Sequence, residues 1–523
     1  MSNVLFRMSR LLFIIMMAVI LVLVLLFPDT AYIAKKTFPV SNLTISFVVL
    51  GIFLIVVTAK CLWQRYGRGI RLPAVTDKAY DKTVACLTFC LFFTEIYISY
   101  NIFCTNEWDP GGIWNTAAAR ARGDLGWSLG IAHYYSMYPN NLLILLLETA
   151  CIKLNNEFGV FVGNYNMMSA IIVDCVTISC ACYLVYKVLT LHVKRNFAFG
   201  GFLVAVVLFG LSPWMSICYS DSLGIVFPIL TYYLYAKPAK NTLRKWVNQI
   251  CAVAISCVGY FLKPQCIIIL IAVVLIEIIS AFRREAWKQI YKPLVLIIIA
   301  GMCLAVTSNI LIKEYERIGV TLDPEKKFGM THFFMMGMNA ADGGGFSQSD
   351  VDYSYSFESK EERTAANIQK GIERLQEMGA AGYAKHLARK LLTTYHDGTF
   401  SWGIEGGFFV QVVDNANTRM APFLKSLYYT DGSLHDVFKV VEQFLWISVL
   451  LFTLAAGLIK QTEENKGELN ILTLSIVGLT LFQMLFEVRA RYLFLYLPVF
   501  CVLAVRGVEN LFVMIQKRAG KNL

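Results

Sequence analysis

The chain has 523 residues, 57% of them hydrophobic and only 16% charged, with a mean hydropathy of +0.57. A soluble protein of that length needs far more charge to cover its surface, so the composition excludes the soluble classes and leaves a membrane bundle. The net charge of +11 does not mark a nucleic-acid binder, because Lys and Arg cluster in short links between apolar runs, where they set topology and meet anionic headgroups.

In chain order, Arg7 and Arg10 precede an apolar run at 11–27. The run is long and no small-x-small cleavage site follows it cleanly, so it reads as an uncleaved first helix with a cytoplasmic N-terminus. Further runs lie near 44–63, 83–103, 164–186, 197–213, 218–236, 247–262, 264–282, 293–313, 437–459, 470–487 and 492–513. Each can cross about 30 Å of hydrocarbon, some only with their flanks. The basic links fix the sense: Arg65, Arg68, Arg71, Lys78 and Lys82; Lys187, Lys194 and Arg195; Lys237, Lys240, Arg244 and Lys245; Arg283, Arg284, Lys288 and Lys292; and Lys517, Arg518 and Lys521, all cytoplasmic. The run at 142–152 is too short for a span and reads as a re-entrant or tilted helix.

The expected fold is all-α, a polytopic transmembrane helix bundle of about 12–13 spans with a large, partly helical extracytoplasmic loop. It divides into two N-terminal helices with a basic link (1–82), a core with an acidic first outer loop at 104–140 (83–313), the outer loop or cap (314–435) and C-terminal helices (436–523). Within the cap, Ser359-x-x-Glu362 predicts a capping box opening a helix that ends near Gly379, followed by a second helix carrying Tyr383, Leu387 and Leu391. The 14 cysteines lie almost entirely in apolar runs and none in the cap, which excludes a disulfide-stapled ectodomain.

The parity of spans places the polar motifs on the outer side. Thr105-Asn-Glu107-Trp108-Asp109-Pro sets two carboxylates just outside a span, where partial desolvation suits a general base; Asp109 reads equally as the N-cap of a helix starting at Pro110. Tyr134-Tyr-Ser-Met-Tyr138-Pro-Asn140-Asn141 follows, with the pattern of an interfacial aromatic belt. Pro213-Trp214 and Tyr219-Ser-Asp221 form a second turn, whose acid also fits an N-cap. Lys263, Arg489 and Arg491 are cations at an outer boundary and call for an anion, either a phosphate or Glu487. His332, His386 and His396 lack metal-ligand spacing. Glu95, Asp174 and Glu277 sit inside apolar runs, either as functional groups or bonded to Ser, Thr or Tyr of neighbouring helices.

In this order the motifs resemble the GT-C superfamily of membrane glycosyltransferases, which contains the protein O-mannosyltransferases and the lipid A aminoarabinose transferase, and most closely a bacterial multispanning branch. The landmarks are Glu107-Trp108-Asp109, Tyr138-Pro139-Asn140-Asn141, Pro213-Trp214 with Tyr219-Ser220-Asp221, Lys263-Pro264, His332 with Met336-Gly337-Met338-Asn339, Asp397-Gly398-Thr399-Phe400, and Glu487-x-Arg489-x-Arg491-Tyr492. The resemblance implies a sugar donor on a polyprenyl phosphate and Asp109 as the base, with Glu107 the alternative. It further implies that Asp221, Tyr138, Asn140, His332, Asn339 and Asp397 bind substrate, and that Lys263, Arg489 and Arg491 hold the phosphate. The acceptor would be a glycan, a lipid or a protein, the bilayer the other partner and nucleic acid none. No cofactor is demanded, though a divalent metal beside the acids is compatible. The implied location is a bacterial plasma membrane with the site on the extracytoplasmic face. Two features depart from the pattern: Trp108 separates the two acids, and two spanning runs precede the one that leads into the first acidic loop.

Such a donor leaves as an anion, so one base and a cationic site suffice and inversion is expected. Two other classes remain open: a transporter or flippase running on Glu95, Asp174 or Glu277, and a polymerase or ligase of lipid-linked glycans that would use His332, His386, Arg389 or Arg419.

Overall fold

The computed structural model describes residues 2–27, 38–66, 75–126, 129–282, 290–404, 407–412, 418–458 and 466–518. The basic links expected at Arg68 and Arg71 and at Arg283, Arg284 and Lys288, and the C-terminal Lys521, lie outside these residues. The chain is an all-α polytopic bundle, as the apolar runs require. Among the described residues, ten helices are long and apolar enough to cross a membrane.

The first three are α1 (Ser2–Leu26), α2 (Asn42–Tyr66) and α3 (Asp77–Asn101). After α3 a two-residue strand β1 (Cys104–Thr105) leads to α4 (Asp109–Ala121), α5 (Leu129–Met137) and α6 (Leu142–Phe158). Next come α7 (Met168–Leu189), α8 (Arg195–Ala205, continued by a π-helical turn to Gly210), α9 (Ser220–Gly224), α10 (Val226–Ala236), α11 (Thr242–Leu262), α12 (Ile268–Ala281) and α13 (Tyr291–Arg317). The cap holds α14 (Met330–Gly337), α15 (Gln348–Tyr355), α16 (Lys360–Tyr395), strand β2 (Gln411–Val412) and α17 (Ala421–Tyr428). Helices α18 (His435–Leu458), α19 (Lys466–Leu485) and α20 (Leu497–Arg518) complete the bundle.

Two of the twelve apolar runs do not form long helices. The run at 197–213 stops at Gly210, ahead of Ser212-Pro213, and the run at 218–236 is split into α9 and α10, with Pro228 near the start of the second piece. Proline after a helix disfavours its continuation and proline inside one removes a backbone donor, so both runs become short helices flanking a buried turn at 212–219. The run at 142–152 forms α6, which falls below span length and packs on α4 and α7.

The cap follows its local sequence signals. The Ser359 hydroxyl accepts from the Glu362 amide at 3.1 Å and opens α16, and the helix breaks at Gly379, whose φ of +60° suits glycine. Three fully buried tryptophans seat the cap and its flanks on the bundle, each with its indole N–H satisfied: Trp214 to Thr399 O (3.2 Å), Trp402 to Tyr428 O and Trp446 to Tyr395 O (both 2.7 Å). Antiparallel pairing of β1 with β2, Cys104 opposite Val412 and Thr105 opposite Gln411, ties the acidic loop to the far end of the cap. No disulfide joins the described cysteines.

Candidate active site

The acidic loop is closed before α4 begins. The Asn106 side-chain oxygen accepts from the Gly111 amide at 2.7 Å, and the Glu107 amide donates to Gly407 O at 2.9 Å. Trp108, not Asp109, is the N-cap residue. The Asp109 carboxylate accepts from two phenols, Tyr134 on Oδ1 and Tyr219 on Oδ2, each at 2.8 Å. Tyr134 in turn accepts from the Asn141 amide at 2.7 Å, and Asn141 Oδ1 accepts from Asn140 at 3.1 Å. The capping alternative for Asp109 is therefore not the one the fold uses.

Asp221 sits behind the site. It lies in the first turn of α9, is 1% exposed, and accepts from Lys263 Nζ and from Arg491 Nη1, the latter at 2.9 Å. The Arg491 guanidinium lies 4.9 Å from the Trp108 ring centroid and 5.3 Å from those of Tyr219 and Tyr492, while the Lys263 ammonium lies 4.1 Å from that of Tyr492. Arg489 Nε is 3.7 Å from Glu487 Oε1. Two cations sharing one buried carboxylate leave a net positive charge beside the cavity, and the aromatic faces hold the guanidinium in place.

These groups surround a cavity of about 880 Å³. Glu107, Asp109, Tyr138, Asn140, Lys263, His332, Arg489 and Arg491 all line it, so eight of the eleven residues singled out from the sequence meet in one place. Its floor is polar; the wall given by the cap is apolar, with Met330, Phe333, Met336, Phe346 and Val351. His332 belongs to that wall. Its Nδ1 pairs with the Ser354 hydroxyl at 2.7 Å, and that hydroxyl donates to Asn367 at 3.0 Å, so Nδ1 carries the ring proton. Burial pushes His332 down to about 4, which keeps the ring neutral.

Three of the eleven residues do not face the cavity. Asp221 pairs with Lys263 and Arg491, which do line it. Asn339 spends its amide on Asp342, Ser347 and Asp350 at 3.0–3.4 Å and ties α14 to α15. Asp397 accepts from the Thr399 amide and hydroxyl (both 2.8 Å) and the Ser401 amide (2.9 Å), a turn that holds Phe400 and Ser401 at φ 54° and 63°. In sequence, a turn-forming aspartate and a ligand-binding one look alike.

Tyr134, Tyr219 and Asn141, which sequence reasoning left as belt or turn, line the cavity and form the hydrogen-bond shell of Asp109. Their signal was present in part, as polar atoms on an otherwise aromatic outer segment. Glu95 accepts from Ser179 at 2.7 Å and Glu277 from Tyr235 at 2.6 Å, both within the bundle and away from the cavity lining. Among the described residues no group of three or more His, Cys, Asp or Glu is arranged to hold a metal ion.

Fold and cavity together define a multi-pass integral membrane protein with one polar, cation-lined chamber under a folded cap. The chain belongs to the family described as conserved hypothetical integral membrane protein, whose model matches residues 1–511. A search of the curated proteins finds no match.

Proposed function

We propose that the protein transfers a sugar from a polyprenyl-phosphate donor to an acceptor hydroxyl at the extracytoplasmic face of a bacterial plasma membrane, in the manner of the GT-C glycosyltransferases it resembles. The observation that carries this reading is the meeting of Asp109 with Lys263, Arg489 and Arg491 in one cavity, from segments far apart in the chain. Asp109 takes the acceptor O–H proton as the acceptor oxygen bonds to the anomeric carbon. The carbon–oxygen bond to the phosphate breaks, and its electron pair leaves with the polyprenyl phosphate. The phosphate gains one negative charge in that step, and the three cations stabilise it. Attack opposite the leaving phosphate inverts the anomeric centre. The polar floor suits the sugar phosphate and the Met- and Phe-rich wall suits apolar chain.

A transport reading draws on Asp174, a carboxylate fully buried in the membrane-spanning helix α7. One experiment separates the two. In vesicles reconstituted with the protein and a panel of polyprenyl-phosphate sugars, Asp109→Asn should abolish transfer to membrane-extracted acceptors while Asp174→Asn keeps it. Transfer that survives Asp109→Asn, or fails only in Asp174→Asn, removes the assigned base.

A further inference from the structure

The hydrogen bonds around Asp109 run in one direction. Asn140 Nδ2 donates to Asn141 Oδ1, Asn141 Nδ2 donates to the Tyr134 oxygen, and the Tyr134 hydroxyl donates to Asp109 Oδ1. From the other side the Tyr219 hydroxyl donates to Asp109 Oδ2. We propose that Tyr134, Asn141 and Tyr219 are positioning residues that hold Asp109 as an oriented carboxylate, one phenol on each oxygen, leaving one further acceptor site on each for the ligand.

The donors have no other choice at neutral pH. Burial, with the Asp109 charge next among the large contributions, pushes the Tyr134 and Tyr219 phenols well above their usual range, so both remain protonated. An amide has no proton to pass on and regain, so the Asn–Asn–Tyr chain orients the carboxylate instead of conducting a proton from it. Donors aligned head to tail polarise one another, which strengthens the last bond in the row. The other titratable groups facing Asp109 are Tyr135 and Tyr138, from α5 and the residue after it, while Arg491 faces Tyr219 and Glu107 precedes Asp109 in the same loop. Between α5 and α6 the 3-10 turn Pro139–Asn141 sets Asn141 within hydrogen-bond distance of Tyr134.

The role of these residues in catalysis rests on the reading of Asp109 proposed above, but their effect on it can be measured without any transfer assay. Dicyclohexylcarbodiimide labels protonated carboxyl groups in apolar surroundings, and the Asp109 peptide can be quantified by mass spectrometry across a pH series on the full chain in detergent. Each lost phenol donor is expected to raise the pH of half-maximal labelling by about one unit, a tenfold gain in proton affinity, in Tyr134→Phe and in Tyr219→Phe. Asn141→Leu should move it the same way by less, since Tyr134 stays in place. Unchanged midpoints in both Phe variants would overturn the proposal. Should the variants misfold, the infrared difference between wild type and Asp109→Asn decides: a carboxylate band at neutral pH shifted as for a doubly hydrogen-bonded group supports it, and a protonated or unshifted band overturns it. Midpoints that move without any detectable transfer would sink the glycosyltransferase reading and leave this one standing; transfer that depends on Asp109 with unmoved midpoints would do the reverse.

Discussion

Arg491 donates to Asp221 at 2.9 Å from a position 270 residues further along the chain, and the same carboxylate also accepts from Lys263. The acid is 1% exposed and the two cations are 6–7% exposed, so the three form one charge unit at the edge of the cavity. Asp221→Asn strips the two cations of their shared anion. Breaking a buried pair in this way costs about 3–5 kcal/mol, and the double variant Asp221→Asn/Lys263→Met should recover much of it by removing one unpaired charge. Thermal unfolding in detergent measures both. A double variant no more stable than the single would mean that Lys263 and Asp221 contribute independently.

His332 supplies a pH dependence. Its folded value of about 4 lies below the 6.5 of a free imidazole because burial disfavours the charged ring. Between those two values the unfolded chain binds the proton and the folded chain does not, so stability falls as pH falls through that window and is fully present above 6.5. The contribution is about 3 kcal/mol. Going from pH 7 to pH 5 should therefore lower the unfolding temperature of the wild type more than that of His332→Gln. Parallel curves would show that the ring is not buried as described.

Lys390 tests how the cap is held. Its ammonium donates to three backbone carbonyls, Gly337 and Phe486 at 2.8 and 2.7 Å and Met484 at 3.0 Å, and so ties α14 to the end of α19. Lys390→Met leaves the Met484 and Phe486 carbonyls without this donor, while Gly337 O keeps His386 Nε2 at 2.9 Å, a loss of about 2–4 kcal/mol. Faster proteolysis within the cap, with the transmembrane helices still protected, is the expected readout. Equal cleavage rates in variant and wild type would remove Lys390 from that role.

What the sequence disclosed follows from the range of each interaction. The capping box at Ser359 and the break at Gly379 are local, and both were legible. The gathering of Glu107, Asp109, Lys263, Arg489 and Arg491 was legible through topology, because basic links assign every polar turn to one side and a bundle then brings those turns together. The partners of Asp109 were not. Tyr134 and Tyr219 lie 25 and 110 residues from it, and nothing in their spacing distinguishes them from an interfacial belt. The turn at Asp397 was illegible for the opposite reason: the bonds that build it come from residues two and four positions on and leave no trace in hydropathy. The split of the 218–236 run into α9 and α10 was written in Gly224 and Pro228 but outweighed by the apolar average.

The acidic loop itself yields the sharpest contrast. A Cβ on Gly111 would lie 1.8 Å from the Asn106 carbonyl oxygen, whereas one on Gly112 would meet nothing within 4 Å. Both glycines are in α4, so helix propensity alone favours alanine at either. Gly111→Ala has to push the Asn106 backbone away and with it the closure that sets the position of Asp109. A displacement on the order of 1 Å at a reacting group costs about a hundredfold in rate, so Gly111→Ala should lose transfer while Gly112→Ala, which only adds a methyl to the cavity lining, keeps most of it. The bundle holding Trp214 and Trp446 is untouched by either change, so both variants should express and unfold at near wild-type temperatures. Loss of transfer in both, or in neither, would mean that the close approach of Asn106 to Gly111 does not set the geometry at Asp109.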